Sequence, residues 1–247
     1  MEEQNNVPKK DTEQYFLEGP HSRTSEFWFT LKVLREFIKG FRAFHFLGPC
    51  ATVFGSSRYK EGHDYYEQAR KMGGALADLG FTVMTGGGPG LMEAASRGAK
   101  ENGGRTVGCN IKLPREQHAN AYLDKWVIIE YFFVRKVILS KYSYAFIVMP
   151  GGYGTLDEFF EAITLIQTKK SKPFPIVLFG KKFHEQLIKH FDHMVKEGTI
   201  LEEDMRLFLL TDDIEEAKEH IKKYGVEAHQ LKTRKELKPA WLLVEEK

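Results

Sequence analysis

Cysteine and long apolar runs are scarce in this sequence, and its net charge is close to zero. Its 247 residues include only two cysteines, Cys50 and Cys109, whose separation fits no metal-binding or redox motif and favours a reducing compartment. No apolar run approaches the ~18 residues needed to span a bilayer. A formal net charge of +2 gives no basic footprint for nucleic acid. We therefore expect no metal site, no membrane partner and no nucleic-acid partner.

The N-terminal region divides into a polar segment and an amphipathic one. Residues 1–22 carry no hydrophobic period and lack the apolar core of a secretory signal, so we expect a mobile tail on a cytoplasmic protein. Residues 23–45 read as a helical extension, capped by Ser25 and ending at Gly40. Its apolar positions are Phe27, Leu31, Leu34, Phe37, Ile38 and Phe41. Docking on the domain or on a second subunit is favoured over a membrane surface, because such faces are common in soluble helices.

The rest of the chain alternates between short β-rich runs and helical patterns. The strand runs are 51–54, 81–84, 106–109, 126–129, 145–149, 175–179 and 207–210. The helical patterns are 62–79, 91–101, 132–142, 155–168, 181–196 and 212–224. The strand runs are continuously apolar, as expected when helices cover both faces of a sheet. This alternation predicts a Rossmann-like, doubly wound parallel sheet in a three-layer α/β/α domain over residues 46–226, followed by an extension over 227–247.

Three predicted strands end in loops rich in glycine or serine: Gly55–Ser57, Gly86–Gly90 and Gly151–Thr155. Ligands of open parallel sheets bind beyond the carboxyl ends of the strands, so these loops predict close approach of a ligand to the backbone. None is followed by the Gly-Lys-Ser/Thr of a Walker motif, and Gly86–Gly90 does not match GxGxxG. Glycine loops before helices favour an anion, so a phosphorylated ligand smaller than a dinucleotide is indicated.

Two charged features near these loops each allow two interpretations. Arg135 and Lys136 interrupt an apolar run. They are either structural, as an ion pair or as the cationic edge of a helix that faces water, or partners for phosphate or carboxylate. Glu158 follows Thr155 by three positions, which fits a capping box as well as it fits a catalytic carboxylate. Spacing alone leaves both questions open.

Taken together, three motifs closely resemble the LOG (Lonely Guy) family over roughly residues 50–215. They are GGGPGLMEAA at 86–95, the Arg135-Lys136 pair, and PGGYGTLDE at 150–158, which matches the family pattern PGGxGTxxE at every fixed position. The resemblance implies a Rossmann-like fold, a homodimer or higher homo-oligomer, and hydrolysis of the N-glycosidic bond of a nucleoside 5′-monophosphate without a cofactor. The substrate would be AMP or a cytokinin-type nucleotide.

The resemblance also implies site residues. Arg135 and Glu158 match the family's catalytic residues. The positions expected to bind substrate are Gly151, Gly152, Gly154, Thr155, Lys136, Glu116, Thr164, Gly87, Gly88 and Ser56. The family's older label, a lysine decarboxylase, finds no support, because no lysine stands out as a Schiff-base partner for pyridoxal phosphate.

A binding protein is the rival class. Related folds, such as the molybdenum-cofactor carrier, hold nucleotide-like cofactors without hydrolysing them. Intact Arg135 and Glu158 favour an enzyme, because a pure binder has less use for a carboxylate beside phosphate.

Overall fold

The computed structural model describes residues 13, 16, 19–113 and 118–231, and a parallel sheet lies at the centre of this part of the chain. Its strands are β1 (Cys50–Phe54), β2 (Thr82–Thr85), β3 (Thr106–Ile111), β4 (Lys125–Ile129), β5 (Ser143–Val148), β6 (Ile176–Phe179) and β7 (Leu209–Thr211). They lie in the order β4-β3-β2-β1-β5-β6-β7, and every neighbouring pair is parallel. The predicted doubly wound sheet is confirmed.

Helices cover both faces of the sheet. They are α1 (Arg23–Phe44), α2 (Asp64–Asp78), α3 (Leu91–Glu101), α4 (Phe132–Tyr142), α5 (Tyr153–Gln167), α6 (Lys181–Lys196) and α7 (Ile214–Ile221). One apolar core joins the sheet to α2, α3 and α7, and a second joins it to α1, α4, α5 and α6. Burial on both faces explains why β1, β2, β3 and β6 are apolar or small at nearly every position.

The direction of winding reverses between β1 and β5. From β1 the chain moves outward through β2 and β3 to β4, and then crosses to β5 on the other side of β1. The loops after β1 and β5 therefore leave two neighbouring strands in opposite directions. A crevice at such a switch point is where open α/β sheets bind ligands.

Helix α1 spans Arg23–Phe44, within the predicted extension 23–45, but the expected cap at Ser25 and stop at Gly40 were wrong. Ser22 caps it by accepting a hydrogen bond from the Ser25 N–H (3.2 Å), and the helix continues through Gly40 to Phe44. A Cβ at Gly40 would lie 2.2 Å from Ile138 Cδ1, so this glycine allows α1 to pack closely on α4. Packing offsets the low helix propensity of glycine, and the expected stop does not occur.

Only part of the apolar face predicted for α1 packs on the domain. The predicted positions Phe37 and Phe41 pack against the core together with Phe29, Val33 and Phe44. The Glu36 carboxylate accepts the N–H of Glu130 (2.9 Å) just before α4. Four residues of the predicted apolar face stay 38–59% exposed: Phe27, Leu31, Leu34 and Ile38. Among the described residues, no helix has the length and apolar character needed to cross a membrane.

The predicted tail lies mostly outside the described residues, as does the C-terminal extension beyond residue 231.

Candidate active site

A cleft of about 530 Å³ opens at the switch point, between the loops that follow β1 and β5. The two loops are tied together: the Ser56 N–H donates to the Pro150 carbonyl (3.0 Å), and the Met149 N–H donates to the Phe54 carbonyl (2.8 Å). The described residues lining the cleft are Phe54, Gly55, Ser56, Ser57, Arg58, Tyr59, Met92, Arg135, Gly151, Gly152, Tyr153, Gly154, Thr155 and Phe183. Two of the three predicted glycine loops therefore line one cavity.

The start of α5 forms one wall of this cleft. Gly152 precedes the first helical residue, Tyr153, and no side chain caps this end. A Cβ at Gly151 would lie 2.2 Å from Thr155 Oγ1, whereas the space around Gly152 and Gly154 is empty. The first-turn N–H groups of a helix lack intrahelical partners and carry its positive dipole end. This wall therefore suits an anion that approaches the backbone closely.

Glu158 does not complete a capping box. Helix α5 begins two residues before Thr155, so Thr155 lies inside the first turn and Glu158 in the second. The capping interpretation was wrong because Gly152, and not Thr155, is the N-cap residue of α5. Glu158 is only 2% exposed, and its Oε2 has no hydrogen-bond partner among the described residues.

Arg135 reaches Glu158 from α4. Its Nε donates to the Cys109 carbonyl (2.9 Å), and its Nη1 lies 3.5 Å from Glu158 Oε1. The guanidinium passes beside Gly86, where a Cβ would lie 2.8 Å from Nη2. Arg135 thus holds one oxygen of Glu158 and is itself fixed by the backbone of β3.

The pKa of Glu158 is raised from 4.5 to about 7. Burial is the largest cause, and it outweighs the opposing attraction of Arg135 and Lys136. A carboxyl group that titrates near neutral pH can exchange a proton with substrate or water under physiological conditions, which is a property of catalytic acids and bases.

The other predicted residues are distributed unevenly. Ser56 lines the cleft, but Lys136 binds Asp157 (3.0 Å) and Glu161 (2.9 Å) on α5 and does not line it. The ion-pair interpretation therefore fits Lys136. Thr164 is exposed further along α5, away from the cleft lining.

Two more predicted positions do not line the cleft. Gly87 and Gly88 are buried, and both carbonyls accept hydrogen bonds from Asn120 (2.9 and 3.1 Å). Glu116 lies outside the described residues.

Several lining residues were not among the predicted site positions, although Met92 belongs to the 86–95 motif. Tyr59, Met92 and Phe183 come from three separate segments, and only the fold brings them together. Arg58 directly follows Gly55-Ser-Ser, so its place next to a predicted ligand loop was the available clue.

The fold is that of a Rossmann-like α/β protein with a ligand site at its switch point. This site combines the start of a helix, which suits an anion, with a buried Glu–Arg pair. Residues 92–221, more than half of the chain, match the protein-family model described as "Possible lysine decarboxylase". The chain belongs to this family, and the resemblance to the LOG proteins drawn from its motifs is confirmed.

Curated relatives carry a more specific name. The chain is 28% identical over 171 residues to the cytokinin riboside 5′-monophosphate phosphoribohydrolase of Rhodococcoides fascians, covering 67% of this chain and 85% of the relative. It is 41% identical over 100 residues to the Mycobacterium tuberculosis protein of the same name, covering 40% of this chain. That alignment spans about half of the mycobacterial relative, 54% of its length.

A solved structure shares the fold. The molybdenum cofactor binding protein of Rippkaea orientalis superposes with a TM-score of 0.55 at 23% identity, covering 71% of this chain and 96% of the other. This likeness supports the Rossmann-like architecture alone.

The cleft gives no support for the lysine decarboxylase activity named in the family description. None of the described lining residues is a lysine, so no amine is available there for a Schiff base.

Proposed function

We propose that the protein hydrolyses the N-glycosidic bond of a nucleoside 5′-monophosphate, AMP or a cytokinin-type nucleotide, to give the free base and ribose 5-phosphate. The observation that carries the proposal is Glu158, buried with one free oxygen and a pKa of about 7, on the same side of α5 as the cleft-lining Thr155. The names of the curated relatives support the same reaction.

The chemistry follows from the charge that develops on the sugar. As the C1′–N bond breaks, its electron pair leaves with the base and the ribose becomes cation-like. A carboxylate nearby stabilises this transition state. Water adds to C1′ and passes one proton to Glu158, while the departing base takes a proton from solvent. Arg135 keeps the Glu158 carboxylate in place during this step.

The start of α5 supplies the binding energy that positions the sugar. The 5′-phosphate of the substrate binds the N–H groups of the Gly151–Thr155 loop up to Gly154, because the Thr155 N–H already donates to the Gly152 carbonyl (3.0 Å). Binding energy from this remote group serves to orient the reacting bond, so a nucleoside without phosphate should react poorly.

The test is incubation of the protein with AMP and with adenosine, followed by chromatography for adenine. We expect adenine from AMP and essentially none from adenosine. Comparable turnover of the two would contradict the role of the phosphate. Tight AMP binding without release of adenine would instead support the non-hydrolytic carrier alternative. A panel of monophosphates then identifies the preferred base.

We further propose that the protein forms a homodimer or a higher homo-oligomer. Phe27, Leu31, Leu34 and Ile38 recur at spacings of four, three and four residues, which is typical of a helix–helix seam. They are exposed on α1, and the neighbouring helix α4 exposes Phe133 and Val137. A second copy presenting the same two helices would cover this surface by a two-fold interface.

We place this reaction in the cytoplasm. Both Cys50 and Cys109 are buried free thiols, which supports a reducing compartment.

A further inference from the structure

The cleft needs more positive charge than α5 alone provides. A phosphate monoester carries roughly −1.5 to −2 charges at pH 7. A helix start contributes the equivalent of about +0.5 charge. Arg135 is engaged by Glu158 and by the Cys109 carbonyl, and Lys136 is engaged by Asp157 and Glu161. Neither is available to balance a phosphate dianion.

Arg58 is a cation of the cleft lining with no carboxylate partner among the described residues. Arginine presents several N–H donors in a planar fork that matches phosphate geometry. The other described lining residues are neutral apart from Arg135. Arg58 therefore has both the charge and the freedom that Arg135 and Lys136 lack.

The loop that carries Arg58 is held at three points. The Arg58 N–H donates to Ser56 Oγ (3.1 Å), the Ser56 N–H donates to the Pro150 carbonyl (3.0 Å), and the Leu91 N–H donates to the Ser56 carbonyl (2.9 Å). Gly90 has a φ of +73°, and a Cβ there would lie 2.4 Å from the Ser56 carbonyl oxygen. The backbone beneath Arg58 is thus fixed beside the loop that starts α5.

We propose that Arg58 binds the 5′-phosphate together with the start of α5 and so determines the preference for monophosphates over nucleosides. The proposal rests on the proposed function, which supplies the phosphorylated substrate. The two arginines of the cleft then have different roles: Arg58 neutralises the phosphate, and Arg135 positions the Glu158 carboxylate.

The experiment compares the full-length wild type with Arg58→Ala, Arg58→Lys and Lys60→Ala. Lys60 is an exposed cation two residues away that does not line the cleft, so its variant controls for a general loss of charge. Ribose 5-phosphate and inorganic phosphate binding is measured by calorimetry, and kcat/KM is measured with AMP and adenosine. Circular dichroism verifies that each variant is folded.

For Arg58→Ala we expect ribose 5-phosphate binding and kcat/KM for AMP to weaken roughly ten- to a hundredfold, the usual effect of losing a charged hydrogen-bond partner. Any activity on adenosine should be unchanged. Arg58→Lys should be intermediate, because it keeps the charge without the planar fork. Lys60→Ala should stay within about twofold of wild type, since exposed charges are screened.

The outcomes separate this proposal from the proposed reaction. If wild type releases adenine and Arg58→Ala matches it in binding and in kcat/KM, the assignment of Arg58 is overturned while the reaction stands. If wild type binds ribose 5-phosphate, loses that binding in Arg58→Ala and yet releases no adenine, the assignment stands and the reaction is overturned. Failure of the wild type to bind ribose 5-phosphate or phosphate also overturns the assignment.

Discussion

At the scale of single residues, Glu158 combines two properties that seldom occur together. Its carboxyl group is removed from water, and among the described residues its ion-pair partner is Arg135 at 3.5 Å. The remaining oxygen, Oε2, has no partner among the described residues. Burial dominates, so the pKa lies near 7. Glu158 itself does not line the cleft, whereas its partner Arg135 does.

We predict that Glu158→Gln lowers AMP turnover by roughly two to four orders of magnitude, or ~3–5 kcal/mol of barrier, because the charge facing the developing cation is lost. AMP binding should persist, since a neutral side chain does not repel phosphate. Turnover is measured by adenine release, and binding by calorimetry. Asp157→Asn is the matched control, because Asp157 is an exposed neighbouring carboxylate paired with Lys136. Wild-type turnover by Glu158→Gln would exclude a catalytic role.

The raised pKa of Glu158 makes both activity and stability depend on pH. If the carboxylate is the active form, kcat/KM should rise with pH through an apparent pKa near 7. The folded protein holds this proton more tightly than the unfolded chain does. The stabilisation is therefore complete below pH 4.5 and is lost as the pH rises through about 7, by an amount on the order of 3 kcal/mol.

Urea unfolding of wild type and Glu158→Gln between pH 4.5 and 8 tests this reasoning. The variant lacks the titrating group. Its free energy of unfolding should therefore decrease less between pH 4.5 and 8 than that of wild type. Parallel curves for the two proteins would show that the pKa of Glu158 is not raised.

At the scale of elements, the end of β2 and the start of α5 impose different requirements on their glycines. A Cβ at Gly86 would meet Arg135 Nη2 and Met92 Sδ, each at 2.8 Å, so this glycine makes room for the guanidinium. A Cβ at Gly154 would meet nothing within 4 Å of protein. Gly154 therefore leaves space for a ligand, whereas Gly86 leaves space for a side chain of the protein.

We predict that Gly86→Ala displaces Arg135 and lowers kcat for AMP roughly ten- to a hundredfold, because small misplacements of positioning groups are costly in rate. Gly154→Ala should instead raise KM, since the added methyl group stands where the phosphate approaches the backbone. Steady-state kinetics on both variants separate the two effects, and thermal unfolding verifies folding. An effect of Gly86→Ala on KM alone would contradict a role in positioning Arg135.

At the scale of the whole molecule, α1 has an apolar surface on both sides. One side packs on α4 and the edge of the sheet, with Glu36 bonded to the chain just before α4. The other side is exposed and carries Phe27, Leu31, Leu34 and Ile38, which form the seam proposed above. A helix with apolar residues on two sides is expected at a subunit contact, where its outer side packs against another copy of the chain.

We predict that Leu31→Lys combined with Leu34→Lys converts the oligomer to monomer at micromolar concentration, because an interface that buries unpaired ammonium groups is costly. Analytical ultracentrifugation gives the mass in solution. Leu201→Lys is the control, since Leu201 is an exposed leucine outside the seam. A monomeric wild type, or an unchanged mass in the double variant, would refute this interface.

The sequence by itself determined the sheet, most of the helices and the family. Three helices begin and end where the pattern predicts, at 91–101, 132–142 and 181–196, because their apolar period and their flanking residues are local signals. The glycine motifs and the Arg135-Lys136 pair likewise belong to single short segments. Properties that depend on neighbours in the chain can be predicted from the chain alone.

The tertiary structure decided the properties that depend on distant partners. Arg135 meets Cys109 across 26 positions and Glu158 across 23, and these contacts with burial set the pKa of the carboxyl group. The face of α1 that packs was also decided there, because both faces are apolar and α4 fits only the one with Gly40. The same is true of Arg58, whose place in the cleft follows from the pairing of β1 with β5. Burial and charge pairing are properties of three-dimensional neighbourhoods, so no local pattern encodes them.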